Sequence, residues 1–78
     1  MKTFVEFITE KHGHEDSIEG DLARDIVTDA GFPKPRKDLQ KYNKIILRHL
    51  KLMHACEEAV TTFEECWADY IASLGVRN

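Results

Sequence analysis

Three sets of side chains in this sequence have the types and spacing that chemistry requires. Asp21, Asp25 and Asp29 recur every four residues. Paired carboxylates act as general acids and bases or hold divalent cations. Four-residue steps on a helix drift by about 40° each, and no partner motif accompanies the three, so a structural role is expected. For Asp29 that role is a bond to the Phe32-Pro33 turn or a pair with Lys34 or Arg36. His12 and His14, with Glu15 and Asp16, resemble a metal cluster. A transition metal needs three or four ligands converging at about 2 Å, and two histidines bracketing Gly13 do not ensure that. A polar helix terminus is the simpler reading, with His12 favouring the helix dipole. Cys56 and Cys66, with His54 nearby, lack C-x-x-C spacing. A thiol nucleophile would need a positioned base and an oxyanion site, and neither is visible. Cys66 reads as a small apolar filler and Cys56 as an exposed thiol. No enzyme activity, cofactor, metal or small-molecule substrate is expected.

The stronger signal is charge. The stretch from Lys34 to His54 holds seven of the eleven Lys and Arg residues and one acid, Asp38. At about 100° per residue, Lys37, Lys41, Lys44, Arg48 and Lys51 fall in one stripe. Leu39, Tyr42, Ile46, Leu50 and Met53 fall on the opposite side. Like charges three and four apart cost a helix a few tenths of a kcal/mol per pair, so this helix is not optimised for its own stability. The functional reading is a face for phosphates or for an acidic partner protein. The bland reading is a solvated face, neutralised at long range by the acidic segments on either side. Tyr42 falls on the apolar face and no aromatic is interleaved with the stripe, which argues against base stacking and for phosphate contact if nucleic acid binds.

Four helices are needed to position these residues. The first runs from Phe4 to His12. Thr3 and Glu6 have the spacing of a capping box, and Gly13 is expected to stop the helix in a left-handed conformation. The second spans Ser17 to Ala30, opened by Asp16 with Glu19 and closed by Gly31. Its inner face is Leu22, Ala23, Ile26 and Val27, with Ile18 one turn earlier. Gly20 costs about 1 kcal/mol there against alanine, which close approach of another helix would explain. Pro33 and Pro35 stiffen the connector, and Phe32 plugs back into the core. The third helix is capped by Asp38 and ends near His54. The fourth is capped by Thr62, with Glu65 completing a box. It carries Phe63, Cys66, Trp67, Tyr70, Ile71 and Leu74 as a buried stripe. Gly75 closes it, and Val76, Arg77 and Asn78 are expected to fray. The expected core is Phe4, Phe7, Ile8, Leu22, Ile26, Phe32, Ile46, Leu50, Phe63, Trp67, Tyr70 and Ile71.

Seventy-eight residues make one domain, 1–78, with room for a single small core and little room for a catalytic cavity. An apolar content of 42% argues against disorder. The net charge of −3 makes the whole chain a poor non-specific nucleic-acid binder, while one basic face still acts locally. The opening Met-Lys-Thr-Phe leads straight into amphipathic sequence, and no apolar run approaches a membrane span. A cytoplasmic protein with reduced thiols and no membrane partner is expected.

The residues Thr3-Phe4-Val5-Glu6-Phe7, Gly20-Asp21-Leu22-Ala23-Arg24-Asp25-Ile26, Asp29, Phe32-Pro33-Lys34 and Phe63-Glu64-Glu65-Cys66-Trp67-Ala68-Asp69-Tyr70 resemble the YozE family. These are short bacterial proteins with a fold similar to sterile alpha motif (SAM) domains. The resemblance covers most of the chain. It departs in the middle, where the family carries a shorter, more acidic third helix. It implies a SAM-like, all-α bundle of four short helices and no established activity. SAM-like folds are mostly interaction modules, by analogy of fold alone. The function expected is therefore non-catalytic binding of a protein, which includes another copy of itself, through Lys37, Lys41, Lys44, Arg48 and Lys51. The alternative is DNA binding by phosphate contacts from the same stripe.

Overall fold

The computed structural model describes residues 2–75, so the expectation for Val76, Arg77 and Asn78 lies outside the described residues. Four helices follow in order: α1 (Phe4–His12), α2 (Ile18–Thr28), α3 (Leu39–Leu52) and α4 (Glu57–Ser73). No strand occurs among the described residues.

Helix α1 starts where its capping box requires. Thr3 Oγ1 accepts from the Glu6 amide at 3.2 Å, and Glu6 Oε1 accepts from the Thr3 amide at 3.0 Å. These two bonds satisfy donors that the first turn leaves free, and they hold the Glu6 carboxyl below its ordinary value. Gly13 ends the helix without leaving the right-handed region, at φ −58. The expected left-handed stop is therefore corrected. Glycine is needed for space, because a Cβ there would lie 2.4 Å from the Thr9 carbonyl oxygen.

Helix α2 is capped by Ser17, not by Asp16 with Glu19. Ser17 Oγ accepts from the Gly20 amide at 3.0 Å. A Cβ on Gly20 would lie 2.1 Å from the Glu15 carbonyl oxygen. The close approach expected at Gly20 is real, but the turn before α2 makes it, not the flank of another helix. Arg24 Nη1 closes the same turn, donating to the Gly13 and Glu15 carbonyls at 3.3 and 3.0 Å. The helix stops at Thr28, two residues before the expected Ala30, because Asp29 turns extended at ψ 101. Its Oδ1 accepts from the Gly31 amide at 2.9 Å and its Oδ2 from His49 Nε2 at 2.7 Å. A short carboxylate bonding ahead along its own backbone competes with helix continuation in this way. Leu22, Ala23 and Ile26 are buried, whereas Val27 and Ile18 are 57% and 49% exposed, against expectation.

Asp38 caps α3 as expected, accepting from the Lys41 amide at 3.1 Å. Tyr42 is fully buried, and its hydroxyl donates to the Pro33 carbonyl at 2.9 Å, so the proline connector is tied to α3. Ile46 and Leu50 follow Tyr42 into the core, while Met53 stays outside as the C-cap. His54, at φ 57, reverses the chain.

The start of α4 is the largest departure. It begins at Glu57, with Cys56 at the N-cap making no side-chain bond, and the expected Thr62–Glu65 box does not form. Thr62 is instead buried inside the helix. Glu57 and Glu58 repel the C-terminal end of a helix, but they suit the N-terminal end of the next one. Gly75, at φ +73, closes α4 in the left-handed region.

One cluster of buried side chains joins the four helices. Phe4 stands among Phe63, Trp67 and Tyr70 with ring centroids 5.2 to 5.6 Å away. The Tyr70 hydroxyl donates to the Lys2 carbonyl at 2.6 Å, fastening the start of the chain to α4. Ala23, Tyr42 and Cys66 belong to the fully buried set. Phe7, Phe32, Trp67 and Ile71 pack against it but keep some exposure.

Candidate interaction surface

Helix α3 positions the basic stripe because its opposite face, Tyr42, Ile46 and Leu50, is held in the core. Lys41, Lys44, Arg48 and Lys51 lie on the outer side of the helix, and all four are exposed. Lys37 is exposed too, but it precedes the Asp38 cap and lies outside α3, so the helical spacing does not govern it. The ion pairs of the described residues are Lys2–Glu10, Lys11–Asp69, His12–Glu15, Arg24–Asp21 and His49–Asp29. None involves a Lys or Arg between Lys34 and Lys51. The cations of this stretch thus have no acidic partner among the described residues, in a chain that has an excess of acid. Leu47 lies partly buried among Lys44, Arg48 and Lys51, and Leu52 is 71% exposed at the end of the helix.

The opposite sign gathers elsewhere. Ile18, Asp21, Asp25, Cys56 and Glu58 line a shallow groove between α2 and the start of α4, and Glu19, Glu57 and Glu65 extend it. This groove exists because α4 starts at Glu57. With the later start expected from Thr62, Glu57 and Glu58 would have belonged to a linker.

A third feature joins α3 to α4. Gln40, Asn43 and Lys44 line a depression whose remaining wall is Trp67. The sequence places no aromatic within the stripe, but tertiary packing brings one to its edge. Sequence reasoning missed Gln40 and Asn43 as well. Their spacing with Lys44, at i, i+3 and i+4, is the only local sign that they share a face.

The other candidate groups are dispersed or occupied. Asp21 Oδ1 accepts from Arg24 Nη2 at 2.6 Å, and Asp29 is bonded to His49 and Gly31, so the three aspartates do not form one site. Bonding to His49, then to Gly31, holds the Asp29 carboxyl below its ordinary value. The turn bond expected of Asp29 is present. The partner side chain is His49, rather than Lys34 or Arg36, because α3 packs back over the turn. His12 Nδ1 lies 2.7 Å from Glu15 Oε1, which also accepts from Ser17 Oγ at 3.1 Å. The His12 bond is the main cause of the lowered Glu15 carboxyl. Among the described residues no three His, Cys, Asp or Glu side chains converge as metal ligands. Cys66 is buried, and burial pushes its thiol up to about 11, whereas Cys56 is exposed. No helix of the described residues is long and apolar enough to cross a membrane.

The family comparison agrees with the architecture. The model of the YozE SAM-like fold matches residues 3–72, which takes in all of α1, α2 and α3 and all but the last residue of α4. No curated protein and no solved structure matches the chain. Thr3 with its capping box, the buried Leu22-Ala23 pair of α2, the turn at Asp29 and the aromatic cluster of α4 all lie within the matched span, and the chain belongs to the YozE SAM-like fold family.

Proposed function

We propose that this protein is a non-catalytic interaction module of the cytoplasm whose α3 face docks on an acidic surface of a protein partner. The observation that carries this reading is the set of outward-facing cations Lys41, Lys44, Arg48 and Lys51, with Lys37 beside them, which have no acidic partner among the described residues. Leaving them unpaired costs the helix stability, and an acidic partner would recover it. The protein's own α2–α4 groove has the required sign and includes the exposed Ile18. A second copy is therefore one partner of the right chemistry, meeting the first through two different surfaces. The test is the mass of the protein in solution at high concentration and low salt, with Lys41, Lys44 and Arg48 all changed to Glu in a second sample. Association that is lost in the variant supports the self-docking form. A monomer under those conditions removes that form and sends the search to other acidic proteins.

A second reading, DNA binding through phosphate contacts, draws on the same cations. It requires affinity that falls steeply with salt, with a slope set by the number of phosphates neutralised. A titration with short duplex DNA at two salt concentrations decides it. Absence of binding at low salt eliminates it.

A further inference from the structure

The depression beside the basic face has a chemistry that the charge pattern alone does not reveal. Gln40, Asn43 and Lys44 lie within about one turn of α3, and Trp67 of α4 faces them across it. Lys44 offers an ammonium, Gln40 and Asn43 offer amide N–H groups, and an indole N–H donates only. None of the four is acidic. The Trp67 N–H bonds to no described residue. Thr9 Oγ1 is the only buried, unpartnered side-chain polar atom among the described residues. The Trp67 N–H is therefore open to solvent. Lys44 has no acidic partner among the described residues either. The volume is about 310 Å³, at the lower edge of what encloses a small-molecule ligand, and the depression is open on one side. Being open rather than enclosed, it suits a side chain presented by a partner rather than a sequestered metabolite.

We propose that this depression is a receptor for a single carboxylate side chain, Asp or Glu, of an acidic peptide segment in the partner. The proposal rests on the reading of the α3 face as a docking surface and adds the anchor point at its edge. A lone ammonium matches a monoanion. The apolar indole wall matches the methylene stem of a glutamate. The amide N–H groups of Gln40 and Asn43 supply directional donors to the carboxylate oxygens. A phosphomonoester dianion would leave half its charge uncompensated by the one cation present, whereas a phosphodiester is a monoanion like a carboxylate and is told apart from it by the titration below.

Trp67 is the only tryptophan of the chain, so indole emission comes from one residue, which lines this depression and also packs on the core; an unchanged helical spectrum on binding separates the two sources. The experiment titrates the full chain with an end-labelled oligoglutamate peptide at low salt. Label anisotropy reads binding, and Trp67 emission reads occupancy of the depression. Both signals should saturate together. Gln40→Ala and Asn43→Ala, both on the surface side of α3, should each weaken binding roughly fivefold to tenfold with an unchanged helical spectrum. Anisotropy that rises while Trp67 emission stays constant and Asn43→Ala binds like the parent would overturn the inference, while the basic-face reading stands. No rise in anisotropy would overturn both. An emission change produced by single-stranded oligothymidine but not by oligoglutamate would overturn the carboxylate assignment in favour of a nucleic-acid strand.

Discussion

Lys44→Glu should make the protein more stable and a poorer binder at the same time. Lys44 lies three residues after Lys41 and four before Arg48, and all three face outward on α3. Each like-charge pair at these spacings costs roughly 0.2–0.5 kcal/mol, and an opposite-charge pair returns a similar amount. Reversal at residue 44 flips both pairs, a change of about 1–2 kcal/mol. Solvent screening of exposed charges favours the lower end. The substitution places an acid four residues before Arg48, which is the better orientation for an i,i+4 pair. For a chain of 78 residues, about 1 kcal/mol corresponds to a rise in Tm of roughly 4–8 °C. The assay is thermal unfolding followed by helical circular dichroism, at low salt and near 1 M salt, where a screening length of about 3 Å should remove most of the gain. Long-range neutralisation by the surrounding acids gives the opposite result. The substitution would then add to an existing net charge of −3 and leave Tm unchanged or lower. A Tm that does not rise at low salt refutes the claim that the stripe opposes its own helix, and with it the argument that the stripe is kept for a partner.

The remaining predictions concern the scaffold. Gly20→Ala should destabilise, although alanine is the better helix former by about 1 kcal/mol, because its Cβ would sit 2.1 Å from a backbone oxygen that cannot swing away. Gly31→Ala, whose nearest neighbour would be Asp29 Oδ1 at 3.4 Å, should stay within about 1 kcal/mol of the parent or exceed it. Denaturant midpoints of the two variants check the contrast, and equal midpoints would contradict it. The folded Asp29 carboxyl titrates below its ordinary 3.8, so its contribution is complete above that value and is lost as pH falls through the lower folded value. Asp29→Asn should therefore flatten the acid limb of a Tm-versus-pH curve below about pH 4, and an unchanged limb would rule out this role. A thiol reagent at neutral pH should label Cys56 quickly and Cys66 only on unfolding, since Cys66 is buried and its thiol is raised to about 11. Two thiols reacting at one rate in the folded protein would contradict the packing of α4.

What was legible in the sequence was local. The Thr3–Glu6 box and the Asp38 cap are bonds within a single turn, and both lie where their spacing places them. The inward Tyr42, Ile46 and Leu50 follow from helical period alone. The boundaries of α2 and α4 were misread where two local signals competed. Ser17 and Asp16 are both good caps, and only the packing of the Glu15 carbonyl onto Gly20 chooses between them. Glu57 and Glu58 look like the wrong end of one helix or the right end of another, and the reversal at His54 decides which.

The candidate site divides along the same line. Residue order alone determined that a cationic face exists, because residues on one helix face are set by a period of about 3.6 and need no other part of the chain. The family pattern, and with it the four-helix bundle, was also readable from the order of short motifs. Tertiary structure decided what stands next to that face. Trp67 lines the same depression as Lys44 because Phe4, Tyr42 and Phe63 pack around the indole. Asp29 meets His49 across twenty residues for a similar reason. Contacts of that separation depend on how apolar faces pack, an energy summed over the whole core, and no short window of sequence contains it.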